Sequence, residues 1–160
     1  MAKPSASMVA LECSPVRPAI MTIGQVKIDR LITGGCSCEA VSYSLVGPLN
    51  DARSCHCSMC RRIFAAQASV CAEVDPEKFS WVKGEDQLTS HVGEQDYGVQ
   101  FCRHCGSTLC IIYKGAIHSL TLGCVDGDPE MAIARHIFVG SKASWEVMPE
   151  AVTQFDEYPE

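Results

Sequence analysis

"FCRHCGSTL", residues 101–109, holds a Cys-x-x-Cys pair, Cys102 and Cys105, followed at once by Gly106. Two readings of it lead to different folds. A redox Cys-x-x-Cys belongs with a β-α-β pattern. A metal knuckle sits instead in a tight turn between strands, where two thiolates converge and a glycine supplies the positive φ that the turn needs. The flanks favour the knuckle. "YGVQF" before the pair and "STLCIIY" after it are short apolar runs of strand length, and no helical segment separates them.

Outward from that turn the chain keeps the same texture. "EAVSYSLVG" places Val41, Tyr43 and Leu45 on one face and ends at Gly47–Pro48, and "VKIDRLITGG" ends in Gly34–Gly35. "FAAQASVCAEV" reads as strand on the strength of Val70 and Val74 around Cys71. "QLTSHV", "IHSLTLGCV" and "ARHIFV" are further strands, and Pro76 opens a short helical turn in "DPEKFSWVKG". "PEAVTQF" is expected as one short helix. The expected fold class is mostly β, in a single domain over 25–158. Residues 1–22, with three of the eight prolines, are expected as a flexible N-terminal extension.

Composition removes several function classes. The net charge is −6, and the 13 Lys and Arg are scattered apart from Arg61–Arg62. Nucleic-acid binders need a basic face to neutralise phosphates, so no nucleic-acid partner is expected. No apolar run approaches the ~20 residues of a membrane span, and no membrane association is expected. Eleven cysteines are many for 160 residues, and their number is odd. The N-terminal stretch lacks the apolar core of a secretory leader. A cytoplasmic setting is therefore expected, where clustered thiols bind metal or do catalysis rather than form disulfides.

Seven of the eleven cysteines fall in three clusters. "GGCSCEA" gives Cys36-x-Cys38, whose side chains at i and i+2 would project together from a strand end. "RSCHCSMCRR" gives Cys55-x-Cys57-x-x-Cys60. The third cluster is Cys102 and Cys105. Two pairs complete one tetrahedral Cys₄ site, so Cys36, Cys38, Cys102 and Cys105 are expected to hold a structural zinc. The triplet Cys55, Cys57 and Cys60 is left over. Three ligands and an open position are the pattern of a catalytic zinc; a second closed site would recruit Cys71, His56, His104 or Cys110, and spacing alone does not choose. Two Zn²⁺ per chain are expected.

Ligand type narrows the chemistry of the triplet. Three thiolates leave the zinc site formally −1, a poor activator of water, which disfavours hydrolysis. Such a soft site suits another sulfur, so the expected partner is a small-molecule thiol or thiol adduct. Arg61 and Arg62 follow directly and are candidates to contact a substrate carboxylate; plain solvent exposure is the competing reading. His136 is expected as a packed, hydrogen-bonded histidine, and Trp81 and Trp145 as core. Cys71, Cys110 and Cys124 are expected as buried free thiols, Cys13 as an exposed one, and "DGDPE" as a turn.

"GGCSCEAVSY", "CHCSMCRR", "FCRHCGSTL", "LGCVDGDP" and "HIFVGSKASW" occur in that order. Together they resemble the glutathione-dependent formaldehyde-activating enzyme family, which shares a domain with centromere protein V. The resemblance implies an Mss4-like zinc-binding β fold. It also implies a structural zinc on Cys36, Cys38, Cys102 and Cys105, and a catalytic zinc on Cys55, Cys57 and Cys60. The implied activity is that of a carbon–sulfur lyase, joining glutathione and formaldehyde reversibly as S-hydroxymethylglutathione. The chain departs from the pattern after the triplet, reading "RRIFAAQ" where a glycine is expected behind the two basic residues. The alternative function is a non-catalytic zinc-binding module for protein interaction.

Overall fold

The alternation that begins at Val41 becomes a strand with one face fully inward. In the computed structural model, which describes residues 30–159, eleven strands and one helix follow in chain order. They are β1 (Leu31–Gly35), β2 (Ser42–Val46), β3 (Asn50–Cys55), α1 (Ser58–Ile63), β4 (Ser69–Glu73) and β5 (Phe79–Lys83). Then come β6 (Leu88–Val92), β7 (Tyr97–Cys102), β8 (Thr108–Tyr113), β9 (Ala116–Thr121), β10 (Arg135–Ile137) and β11 (Thr153–Gln154). The expected extension over 1–22, Cys13, and the start of the strand run at Val26 and Ile28 lie outside the described residues.

The strands form a three-stranded sheet, β1-β2-β5, and an eight-stranded sheet, β11-β10-β3-β4-β9-β8-β7-β6. Val41, Tyr43 and Leu45 share one apolar core with Leu109, Cys110, Ile112 and Leu120 of the larger sheet. The fold is thus mostly β, a single sheet-rich domain, as the patterning predicts. No helix among the described residues is long and apolar enough to cross a membrane.

Tyr43 ties the small sheet to the segment that follows β9. Its hydroxyl donates to the Cys124 carbonyl at 2.9 Å, and the rings of Phe79 and Trp81 pack on it at 5.4 and 6.1 Å. This layer lies directly over Gly34. A β-carbon at Gly34 would stand 2.2 Å from the Cys124 carbonyl oxygen and 2.3 Å from the Tyr43 hydroxyl, so only glycine fits. Gly34→Ala is expected to cost about 1–3 kcal/mol through overpacking. A urea titration checks this: the midpoint falls with the slope unchanged.

Four elements differ from the sequence reading. Strand β3, "NDARSC", is too polar to read as a strand, yet it lies between β10 and β4 and buries Arg53 and Ser54. Helix α1 spans six residues and carries no apolar period long enough to announce itself. "PEAVTQF" is not a helix: Thr153 and Gln154 pair in parallel with Arg135 and His136, and Phe155 N–H donates to the His136 carbonyl at 2.9 Å. A helix that short is marginal alone, and pairing with a sheet edge satisfies the same backbone groups. Trp145, expected in the core, is 73% exposed. In the turn closed by Glu146 N–H to the Ala143 carbonyl, Ala143 and Glu146 take the inward positions and leave Trp145 outside.

Several further expectations hold, and those for Trp81 and Cys124 hold only in part, since both are partly buried against the core. Pro76 opens a 3-10 turn, Pro76–Lys78. Trp81 packs at the edge of the core. Cys71 and Cys110 are buried free thiols, pushed up to about 12 by that burial, and Cys124 is half-buried. "DGDPE" is a turn: Asp126 accepts from the Thr33 hydroxyl at 2.8 Å, and Asp128 accepts from Glu130 N–H at 2.7 Å.

Candidate functional site

Two turns meet to form the first cysteine cluster. Cys36 follows the last residue of β1, and Cys38 lies in the turn towards β2 rather than on the strand itself. Cys102 ends β7 and Cys105 lies in the turn before β8. The Ser37 N–H donates to the Ser107 hydroxyl at 3.0 Å and joins the two turns. The knuckle closes through Gly106 N–H to the Cys102 carbonyl at 2.9 Å and Cys102 N–H to the Ser107 carbonyl at 3.0 Å. Gly106 has φ of +75°, with open space where a β-carbon would be. Its backbone conformation, not crowding, is what calls for glycine.

All four sulfurs lie within 4.8 Å of one another. Cys36 and Cys38 are 3.6 Å apart, and Cys38 and Cys102 are 3.8 Å apart. Zn–S bonds of about 2.3 Å in a tetrahedron set sulfurs about 3.8 Å apart, so the spacing fits this ion. Val41 N–H donates to the Cys36 sulfur at 3.3 Å, as expected where a sulfur carries negative charge. The Cys105 thiol is held down to about 5 by the Ser107 hydroxyl and backbone.

The triplet is built on a strand-to-helix junction. Cys55 ends β3, Cys57 is the N-cap of α1, and Cys60 lies in its first turn. The Cys57 sulfur accepts from Cys60 N–H at 3.3 Å, taking the place a serine or aspartate oxygen usually fills. The three sulfurs lie within 4.8 Å of one another, each half-buried. The hydrogen bond from Cys55 pulls the Cys60 thiol down to about 6, and the Ser69 hydroxyl and the Arg53 charge act in the same direction. Its partner Cys55 is pushed up by the same bond and by burial. Cys60 thus ionises readily while Cys55 resists, as close like charges must until a cation joins them.

Among the described residues no fourth His, Cys, Asp or Glu joins this group. Each residue considered as a closing ligand is held elsewhere. His104 is hydrogen-bonded to Gln87 at 2.8 Å, Cys110 is packed in the core beside Gln100, and Cys71 lies on β4 outside the cluster. His56 points away from its two cysteine neighbours into a buried network. Its Nδ1 pairs with Glu146 Oε2 at 2.9 Å, and its Nε2 pairs with His136 Nδ1 at 2.8 Å. Its own N–H donates to the Ile137 carbonyl at 3.0 Å. Burial lowers the His136 pKa, and neighbouring His56 adds to this against the opposing pull of Glu146.

This His56–Glu146–His136 network is the part of the site that sequence reasoning missed. His136 was legible as a buried, hydrogen-bonded residue, but His56 lies 80 positions from it and 90 from Glu146, which leaves no spacing to read. The network anchors the loop between Cys55 and Cys57 to the C-terminal segment. Glu146→Ala leaves a buried imidazole nitrogen unpaired, which costs about 1–3 kcal/mol. For a domain of this size a thermal melt should drop by roughly 2–4 °C per kcal/mol.

A cavity of about 600 Å³ opens beside the triplet, lined by Cys55, Cys57 and Cys60 together with Arg53, Tyr97 and His118, among others. Arg53 bonds Asp51 at 3.0 Å and Glu73 at 2.7 Å, and its other terminal nitrogen lies 3.4 Å from His118 Nε2. Arg61 and Arg62 line a separate, shallower cleft with Trp145, which meets the cavity at Ser58. Arg61 also donates to the Ser141 carbonyl at 3.2 Å.

A mostly-β domain with one four-cysteine and one three-cysteine cluster, each able to hold a metal ion, is the class that fold and site define. The chain belongs to the glutathione-dependent formaldehyde-activating enzyme family, whose model matches residues 31–141. No curated protein matches it. A solved crystal structure of a Rhodobacter sphaeroides protein is similar at 28% identity, covering 60% of this chain and 89% of that one, with a TM-score of 0.48.

Proposed function

We propose that this chain is a zinc-dependent enzyme of the carbon–sulfur lyase type, acting on a small thiol adduct. Cys55, Cys57 and Cys60 hold the reactive zinc, and Cys36, Cys38, Cys102 and Cys105 hold the structural one. The observation that carries this reading is the convergence of three sulfurs on a cavity wall with no fourth protein ligand among the described residues. The family's default adduct is S-hydroxymethylglutathione, and the same chemistry serves other pairs of thiol and aldehyde. In that chemistry the thiol sulfur bonds to the carbonyl carbon and the carbonyl oxygen takes the proton; cleavage runs the reverse.

Zinc at the triplet would supply stabilisation of a substrate thiolate at neutral pH. The chain's own residues do the rest. The cavity walls leave the sulfurs half-buried, and the Arg53 charge favours the Cys60 thiolate. The buried contacts of His56 hold the ligand loop in place. Arg61 and Arg62 are positioned to meet a carboxylate only if the substrate extends past Ser58. We place the protein in the reducing cytoplasm, with 25–158 as the functional unit and without nucleic-acid or membrane partners.

Zinc content before and after mild chelation tests the reading. Two ions per chain are expected, one of them lost readily, because an open three-ligand site releases metal faster than a closed one. A single ion that resists chelation would leave only the interaction-module reading.

A further inference from the structure

We infer that the adduct this site takes carries an apolar, aryl-sized group close to its sulfur; this rests on the thiol-adduct reading above. The first reason is volume. A one-carbon carbonyl is little larger than water, whose share of the liquid is about 30 Å³. The cavity beside the triplet holds about 600 Å³. That is room for a substantial organic ligand, glutathione included, so volume allows an aryl group while the walls and the charge select it.

The second reason is the walls. Met59, Tyr97, Ile111, Ile137, Phe138 and Tyr158 line the cavity. Tyr97 stacks on Tyr113 at 4.4 Å and meets the edge of His118 at 5.9 Å, so its ring is held as a flat face. Phe138 sits at φ +57° and ψ +38°, a costly conformation for a residue with a β-carbon. Hydrogen bonds from Val139 N–H to the Phe155 carbonyl and from Ser141 N–H to the Phe138 carbonyl keep it there. A smaller apolar cavity of about 160 Å³ shares Met59, Cys60, Tyr97 and Ile111, extending the apolar space towards Phe64 and Val99.

The third reason is charge. Glutathione brings two carboxylates and an ammonium. Among the described residues lining the cavity Arg53 is the one guanidinium, and Asp51 and Glu73 already hold it. His118, the other basic side chain of the lining, faces Glu73 at 3.8 Å and Arg53 at 3.4 Å. A carboxylate seated there would lose its water and compete with Asp51 and Glu73 for these groups, an unfavourable exchange. Arg61 and Arg62 open on the neighbouring cleft instead. The apolar group can come from the thiol itself or from the carbonyl partner.

Titration calorimetry on the full-length, zinc-loaded protein separates these sources. Three probes are compared: benzyl mercaptan alone, glutathione with phenylacetaldehyde, and glutathione with formaldehyde. At least one of the first two is expected to saturate at a concentration at least tenfold below the third, and the one that does names the source. Saturation by glutathione with formaldehyde at an equal or lower concentration overturns the inference while leaving the thiol-adduct reading intact. If none of the three binds in a way that Cys57→Ser abolishes, the thiol-adduct reading itself falls, and the inference with it. Tyr97→Arg, at a half-exposed position, adds a cation to the wall. In the folded variant the preference should shift at least tenfold towards glutathione with formaldehyde; an unchanged preference overturns the inference.

Discussion

Cys105→Ser is expected to unfold the domain or to lower its melting temperature by tens of degrees. Cys105 is exposed, and serine is nearly isosteric with cysteine, so packing alone would make the change almost neutral. The expected loss comes from the metal. Structural zinc contributes on the order of 10–16 kcal/mol to the folding of small zinc domains, as much as the whole stability of a typical domain, about 5–15 kcal/mol. Here the cluster joins the turn after β1 to the turn after β7, with Cys38 and Cys102 separated by 64 positions. Circular dichroism on the variant measures the effect, and Cys38→Ser should match it. A variant that melts with the wild type would show that the four-cysteine cluster is no structural staple.

Cys57→Ser is expected to behave in the opposite way: the fold and one zinc are kept, the other zinc is lost, and activity falls at least a hundredfold, to background. Cys55, Cys57 and Cys60 lie within six residues, so an ion held by them closes only a short local loop and constrains little of the unfolded chain. Serine is also among the best N-cap residues, so α1 keeps its first-turn hydrogen bond when the sulfur is replaced. Zinc content, a melting curve and an assay of thiol–aldehyde adduct formation on one preparation decide the outcome. Collapse as complete as that of Cys105→Ser would make the triplet a second structural site.

Part of the site was legible because metal ligation leaves local, countable marks. Cys36-x-Cys38, Cys102-x-x-Cys105 and the triplet can be found by spacing, and ligand number suggests how they divide. The strand of Val41, Tyr43 and Leu45 was legible because alternation with period two is a property of the chain alone. Strand β3 was not. Its buried Arg53 is tolerated only because Asp51 and Glu73 pair with it, a condition that composition cannot state. Trp145 failed for the related reason that apolar character does not say which side of a turn faces inward.

By itself, then, the sequence determined that the chain would be mostly β, with two groups of thiols at strand ends and turns, since both follow from spacings of a few residues. Only the tertiary structure decided what surrounds those thiols. The closed cluster forms because the turn after β1 and the turn after β7 meet through Ser37 and Ser107. The triplet faces a cavity because His56 is drawn to the opposite side by Glu146 and His136, 90 and 80 positions away. Contacts at such distances depend on strand order and register. Arg53, spent on its own carboxylates, and the aromatic wall of Tyr97 and Phe138 arise only when β3, β7 and the segment after β10 come together in the folded chain.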